Sequence, residues 1–396
     1  MRTRTILHLD LDAFFCCVEE LKQPALRGKA FAVGGRPNQR GVVASCSYPA
    51  RAKGVRSAMP MSQAVRLVPS LIIVPPSFKD YQRYSERVME IVHDITPVVE
   101  QISIDEAFLD VTGIATPAHQ LARSLQERIR KEIGLPCSIG AASNKLIAKI
   151  ATDQGKARTH SEHTPCAIEV VPVGAEAAYI APLPVTALWG VGEKTAHRLS
   201  ALAIRTIGDL AATDCTRLEQ ILGKHGKDLW ERANGIDNRP VVTEHETKSI
   251  SSETTFDVDL YDRNRAEAAL AKLSASVAKR LRHDNLQGTT IRLKLRWSDF
   301  TTITRQTSLK KPINHESQIA DHATNLLRAC WTGAPVRLLG VGVSNLTPVQ
   351  EQLPLWSDED RVKSHTVARM LDDLRDRFGS DVIRLGKEFK PPTDSS

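Results

Sequence analysis

The apolar positions of the chain fall into two periods. Short runs with strand spacing include Ile6 to Leu9, Ala30 to Val33, and the alternating set Ile291, Leu293, Leu295 and Trp297. Longer stretches carry the helical period. Phe78 to Thr96 puts Tyr84, Val88, Ile91, Val92 and Ile95 on one face, and Pro117 to Ile133 ends at Gly134 and Pro136. Cys16 to Leu21 reads as a helix followed by Pro24, and Cys137 to Ala151 runs from a strand through a small-residue turn into a helix. Strands and helices thus share one chain, and the pattern predicts an α+β, multidomain protein.

Two of these strands carry acids where apolar residues would be expected. Gln101 to Val111 reads as strand, turn and strand, with Ile102, Ile104, Phe108 and Leu109 apolar and Asp105-Glu106 between them. Two adjacent carboxylates cost desolvation and mutual repulsion unless a divalent cation, a base or solvent takes up the charge. A solvated hairpin turn and a cation-holding tip are both open. Asp10 stands where the buried run Ile6 to Leu9 would emerge from a sheet. If Asp10 faces Asp105 and Glu106, the three acids can hold two Mg²⁺ ions about 3.5–4 Å apart, the arrangement used for in-line phosphoryl transfer.

Composition narrows the class. At 396 residues, two to four modules are expected, and 41% hydrophobic with 25% charged residues is a globular balance. The net charge of +7 is compatible with a polyanionic partner. Residues 246–347 hold 15 Lys or Arg against 10 Asp or Glu, whereas 348–396 hold 8 against 10, so the tail is not where a polyanion binds. The seven cysteines are scattered with no C-x-x-C pair, and read as reduced thiols of a cytoplasmic protein. No apolar run approaches a membrane span, and Asp10 and Asp12 interrupt the only candidate signal segment.

Further candidates concern anions. Tyr48 and Arg51, three residues apart near a helix start, could grip a triphosphate with one hydroxyl and one guanidinium; a solvated basic face is the simpler alternative. Within 182–236, a segment of short helices, Leu188-Trp189-Gly190-Val191-Gly192 followed by Glu193 to Leu202 fits a helix-hairpin-helix. There Gly190 and Gly192 admit a phosphate near the helix start, beside Lys194. Residues 237–249 read as a linker. Beyond it, Arg292, Lys294 and Arg296 alternate with the apolar set, a cation row near the phosphate repeat of a nucleic-acid backbone. Thr301 to Leu309 reads as the hairpin partner of that strand, and its Arg305 joins Arg292, Lys294 and Arg296 as a candidate contact to the nucleic-acid backbone.

Together, Asp10-Leu11-Asp12-Ala13-Phe14-Phe15, Tyr48-Pro49-Ala50-Arg51 and Ser103-Ile104-Asp105-Glu106-Ala107-Phe108 resemble the DinB-like branch of the Y-family DNA polymerases, the bacterial polymerase IV type, along nearly the whole chain. The resemblance implies a right hand: palm and fingers over 1–181 (fingers about 20–77), a thumb at 182–236, an α/β little finger at 250–347, and a tail at 348–396. It implies a monomeric DNA-directed DNA polymerase of low fidelity that copies damaged templates without proofreading. Asp10, Asp105, Glu106 and the Leu11 carbonyl would hold two Mg²⁺, with Mn²⁺ as an alternative ion. Phe14, Phe15, Tyr48, Arg51 and Lys156 would contact the dNTP, with Phe15 as the steric gate against a ribose 2′-OH. The usual Lys-Pro-Asn-Gly is replaced here by Lys156-Ala157-Arg158-Thr159, so an exposed loop lysine is the alternative reading.

Gln352, Leu353, Leu355 and Trp356 resemble the sliding-clamp peptide of bacterial polymerases, with a linker carrying stray apolar residues as the alternative; an amphipathic helix, Val362 to Phe378, follows. Two other classes compete: a different palm-type nucleotidyl enzyme, and a catalytically weak adaptor that binds DNA and the clamp. The first would not need the hairpin-helix module or the cation row. The second would be expected to lose its acids.

Overall fold

The computed structural model describes residues 4–159, 164–244 and 246–349, together with Met370, Leu374 and Phe378. The chain divides into two units, Met1–His245 and Glu246–Ser396. The clamp-like residues Gln352, Leu353, Leu355 and Trp356 lie outside the described residues. All seven cysteines are free, and burial pushes the Cys16 thiol up to about 12. Among the described residues no helix is long and apolar enough to cross a membrane.

The first unit begins β1 (Ile6–Leu11), α1 (Phe14–Lys22), β2 (Phe31–Gly34), β3 (Val43–Cys46), α2 (Tyr48–Ala52), α3 (Met61–Leu67), β4 (Ile72–Val74) and α4 (Phe78–His93). It continues β5 (Val99–Gln101), β6 (Glu106–Asp110), α5 (Ala118–Glu132), β7 (Cys137–Ala142), α6 (Lys145–Arg158) and β8 (Ile168–Val170). The helices α7 (Glu176–Ile180), α8 (Glu193–Ser200), α9 (Ile207–Ala212), α10 (Cys215–Leu222) and α11 (Lys224–Ala233) complete it.

Five strands form the palm sheet in the order β5-β6-β1-β7-β8, with β1 antiparallel to both neighbours. Side chains alternate across a strand, so β1 serves two layers. Leu7, Leu9 and Leu11 enter a core with Val88, Ile91, Leu121 and Leu125 of α4 and α5. Ile6 turns the other way and packs with Leu146 and Ile150 of α6, as does Phe108 on β6. Each such apolar side chain stabilises the fold by about 1.5–3 kcal/mol when fully buried. Gly140 on β7 lets α6 lie close, because a Cβ there would meet the Ala148 carbonyl and stand 2.6 Å from the Thr152 nitrogen.

The fingers are a small β3-β2-β4 sheet with its own core of Ala32, Val43, Cys46, Ala50 and Met61. The thumb helices have no comparable separate core. Leu199, Ile207, Leu218 and Leu229 belong to the cluster that contains Ile6, Phe108 and Leu146 of the palm. The segment read as a linker is packed against the palm over its first half. Asp237 accepts a hydrogen bond from the Leu146 N–H at 3.2 Å, and the Val242 N–H donates to Glu100 at 2.7 Å.

The second unit runs β9 (Ser249–Leu260), α12 (Arg263–His283), β10 (Leu286–Trp297), β11 (Thr302–Ile313), α13 (Glu316–Cys330) and β12 (Val336–Pro348). Its sheet has the order β11-β10-β12-β9. Ile291, Leu293 and Leu295 pack against Leu270 and Val277 of α12 and Ile319 and Leu327 of α13, which leaves the other face of the sheet open.

Candidate active site

Register places the acids. Asp10 pairs with Glu106 across β1 and β6, and the Leu11 N–H donates to the Asp105 carbonyl at 3.0 Å, so the three acids meet at one edge of the palm. Ser103 shapes the hairpin tip: its hydroxyl donates to Asp105 at 2.6 Å and accepts from the Glu106 N–H at 3.1 Å. Burial raises the Asp105 carboxyl above its ordinary range, and the Asp10 charge adds to this. Burial also raises Glu106, in part offset by the Lys149 ammonium.

The opposing charges come from one face of α6. Lys145, Lys149, Thr152 and Lys156 recur at helical spacing and meet the residues of the sheet that point their way. Lys145 pairs with Glu100 of β5 at 2.7 Å, and Lys149 donates to both Glu106 oxygens at 3.0 and 3.1 Å. Thr152 bonds the His8 ring at 2.9 Å, and Lys156 sits on Asp10 and, at 3.1 Å, on Asp12. Asp12 is fully buried, and also accepts from the Ser138 hydroxyl at 2.9 Å and the Cys166 N–H at 3.1 Å. Lys149, Asp12 and Asp153, an α6 acid whose carboxyl burial raises, are site residues that the sequence reading did not single out. Lys156 is not a loop residue: without a proline to end it, α6 continues through Arg158.

Facing these groups across an open cleft of about 780 Å³ is the fingers wall. Asp10, Leu11, Phe14, Phe15, Tyr48, Arg51, Asp105 and Lys156 all line it, with Asp153 beside them. Ser47 caps α2 by accepting from the Ala50 N–H, which fixes Tyr48 and Arg51 on that short helix. The Arg51 guanidinium lies 5.7 Å from the Tyr48 ring centre, and its buried Nε has no hydrogen-bond partner among the described residues. Such a donor is costly to leave unmade. Ala13 takes a left-handed φ of 45°, which starts α1 two residues earlier than the apolar pattern suggested. Phe14 therefore enters the core while Phe15 stays half-buried, stacked on Tyr81 at 4.3 Å.

Among the described residues no three His, Cys, Asp or Glu side chains form a finished metal cage. The donor set nevertheless suits a hard divalent cation, since the half-buried carboxyls of Asp105 and Glu106, raised by burial and by the Asp10 charge, are relieved by one. Asp10, Asp105 and Glu106 are the residues that would hold it.

The nucleic-acid candidates fall into two places. Gly190 has a φ of 101° and Gly192 precedes α8, whose first turn carries Lys194. In the second unit Arg292, Lys294 and Arg296 share the open sheet face, bordered by Gly340, Gly342 and Ser251. Glu253 is on that face too and pairs with Lys294 at 2.7 Å. Arg305 is not in the row. It is the register partner of Leu293, so it belongs to the helix-covered side, near enough to Cys330 to act on that thiol.

Comparison with known proteins agrees with this layout. Residues 9–153 match the impB/mucB/samB family, 247–355 its C-terminal domain, and 186–237 the DNA polymerase-iota thumb domain. The chain is 38% identical over 395 residues to DNA polymerase IV of Dehalococcoides mccartyi, covering 98% of this chain and 99% of that one. It is 43% identical over 371 residues to DNA polymerase IV of Streptomyces coelicolor, covering 92% and 76%. A solved Y-family DNA polymerase chimera superposes with a TM-score of 0.77 at 26% identity, covering 87% of this chain and 99% of that one. An insertion ternary complex of Dbh DNA polymerase gives 0.60 at 27%, with coverage of 87% and 99%. On its acids, its cleft and these relatives, the chain belongs to the Y-family DNA polymerases, in their DinB-like, DNA polymerase IV branch.

Proposed function

We propose that the cleft is the nucleotidyl-transfer centre of a low-fidelity DNA-directed DNA polymerase that copies damaged template. The primer 3′-hydroxyl oxygen attacks the α-phosphorus of a dNTP, the bond to the β-phosphate breaks, and pyrophosphate leaves. The observation that carries this reading is the pairing of Asp10 with Glu106, Asp105 beside them, opposite a fingers wall whose buried Arg51 Nε has no partner among the described residues.

Two Mg²⁺ ions, or Mn²⁺, held by Asp10, Asp105, Glu106 and the Leu11 carbonyl, would lower the charge barrier at both the attacking and the leaving oxygen. The protein's own groups bind and orient. Tyr48 and Arg51 grip the triphosphate, with Arg51 presenting two-pronged donors suited to phosphate oxygens. Lys149 neutralises Glu106 through both of its oxygens. Phe15, braced by the Tyr81 ring, fills the space that a 2′-hydroxyl would need.

Low fidelity and lesion tolerance draw support from the cleft wall. Ala13, Ala44, Ser45, Ala52 and Ser57 line it, and side chains this small press weakly on a misshapen base pair. Gly190 and Gly192, Lys194, and the Arg292, Lys294 and Arg296 row would hold duplex through its phosphates, without reading sequence. A peptide at Gln352, Leu353, Leu355 and Trp356 that docks on a sliding clamp belongs to the same proposal.

Primer extension on an intact template and on one with an abasic site tests the reading. Extension past both with dNTPs, dependent on added divalent metal, is expected; a protein that binds the duplex yet adds no nucleotide to either would sink it.

A further inference from the structure

We propose that Lys156 is a placeholder for the catalytic cation: without metal its ammonium compensates Asp10 and Asp12, and a divalent ion arriving at Asp10 releases it toward the triphosphate. The proposal rests on the polymerase reading above and adds a competition to it.

Three observations lead there. First, of the three lysines on the sheet-facing stripe of α6, Lys156 is the one that lines the cleft. Lys145 and Lys149 each serve a single acid, Glu100 and Glu106, and neither lysine lines the cleft. Second, Lys156 bridges two acids of different character. Asp12 is fully buried and held by Ser138 and Cys166, so it is a fixed anchor; Asp10 stands in the cleft beside Asp105. An ammonium and a divalent ion cannot both sit against the Asp10 carboxylate, because like charges a few ångströms apart repel strongly in a partly buried site. The ammonium must then yield Asp10 while Asp12 still tethers it. Third, Lys156 is on the last turn of α6, with a flexible four-carbon stem, and Arg51 lies across the same cleft. Released from Asp10, it becomes one more cation available to a triphosphate.

The competition makes metal and nucleotide binding mutually supportive. Metal frees a phosphate ligand, and the triphosphate in turn draws that ligand away from the metal's acid. By linkage the two effects are equal in size.

The test reads the chemical reactivity of the lysine and needs no turnover. Full-length enzyme is treated with a limiting amine-acylating ester in EDTA, in Ca²⁺, in Ca²⁺ with dNTP, and in dNTP with EDTA, and each lysine is followed by peptide mass spectrometry. Lys156 is expected to be slow in EDTA, about tenfold faster in Ca²⁺, the factor set by losing ~1.4 kcal/mol of ion pairing, and slow again once dNTP joins Ca²⁺. Lys145, paired with Glu100 away from the metal-holding acids, serves as the internal reference. In Asp10→Asn, Lys156 should react quickly in EDTA and gain little from Ca²⁺. A Lys156 rate indifferent to Ca²⁺ overturns the proposal, and so does protection by dNTP that needs no metal. If calorimetry finds no dNTP binding to the Ca²⁺-loaded enzyme at all, the polymerase reading fails, whatever Lys156 does.

Discussion

Asp10 and Glu106 are register partners on adjacent antiparallel strands, and both side chains project toward α6, where Lys156 and Lys149 meet them. The acids are thus fixed by the backbone ladder, and only their counter-charges sit on long, flexible stems. Glu106→Ala should lower primer extension by at least about a hundredfold, the scale of removing an aimed electrostatic group, with duplex affinity unchanged. Single-turnover extension and a gel-shift titration check the two halves separately; retained synthesis would remove Glu106 from the chemistry.

Phe15 stacks on Tyr81, whose hydroxyl is tied to buried Glu19 at 2.7 Å, so the ring has a fixed position at the cleft. Phe15→Ala should raise ribonucleotide insertion by one to two orders of magnitude, as expected when a steric clash worth about 1–3 kcal/mol is removed. Insertion kinetics with paired dNTP and rNTP measure this, and unchanged sugar selectivity would assign the gate elsewhere.

Gly140 sets the spacing of sheet and α6. Gly140→Val should cost about 3 kcal/mol in urea unfolding, because backbone rather than a flexible side chain stands in the way. Gly192→Ala meets open space and should change stability by less than about 0.5 kcal/mol. Equal stability of the two variants would contradict the close approach.

Asp237 ties the end of the thumb to the start of α6. Burial alone would raise its carboxyl, but the Arg239 guanidinium at 2.7 Å and the Leu146 N–H hold it below the usual range. A carboxyl lowered in the folded state adds stability that is present above the unfolded value, about 3.9, and is lost as pH falls through the folded value. Asp237→Asn should therefore destabilise by about 1–2 kcal/mol at pH 7, and the gap to wild type should close under acid conditions. Melting curves across pH report this, and a gap that widens with acid would reverse the sign.

The cation row and Arg305 lie on opposite faces of one sheet. Replacing Arg292, Lys294 and Arg296 with Ala together should flatten the salt dependence of duplex binding by up to about 0.9 for each phosphate that is no longer neutralised. Arg305→Ala should leave that slope unchanged. A slope that responds to Arg305 alone would put the duplex on the other face.

The strands and their acids were legible because a two-residue period is visible over a few positions, and an acid that breaks an apolar run stands out. The row of cations on β10 was legible for the same reason. Arg305 was misplaced because face assignment on a hairpin depends on register, and a shift of one residue exchanges the faces. Lys149 and Asp12 were missed although the recurrence of Lys145, Lys149, Thr152 and Lys156 is written in the sequence. A polar stripe on a helix ordinarily faces water, and only the fold reveals that acids of distant strands are waiting under this one.

The thumb helices and the palm sheet close over a common interior, with Phe108 touching both His8 and Trp189. Such an arrangement denies the thumb helices an independent existence. Cut away at residue 181, they would lose the floor on which Leu199 and Leu229 rest, and the severed palm would show bare hydrocarbon behind its own acids. Thumb and palm are welded into one melting unit, so this chain cannot trade its thumb as a cassette without rebuilding the wall beneath its acid-bearing strands.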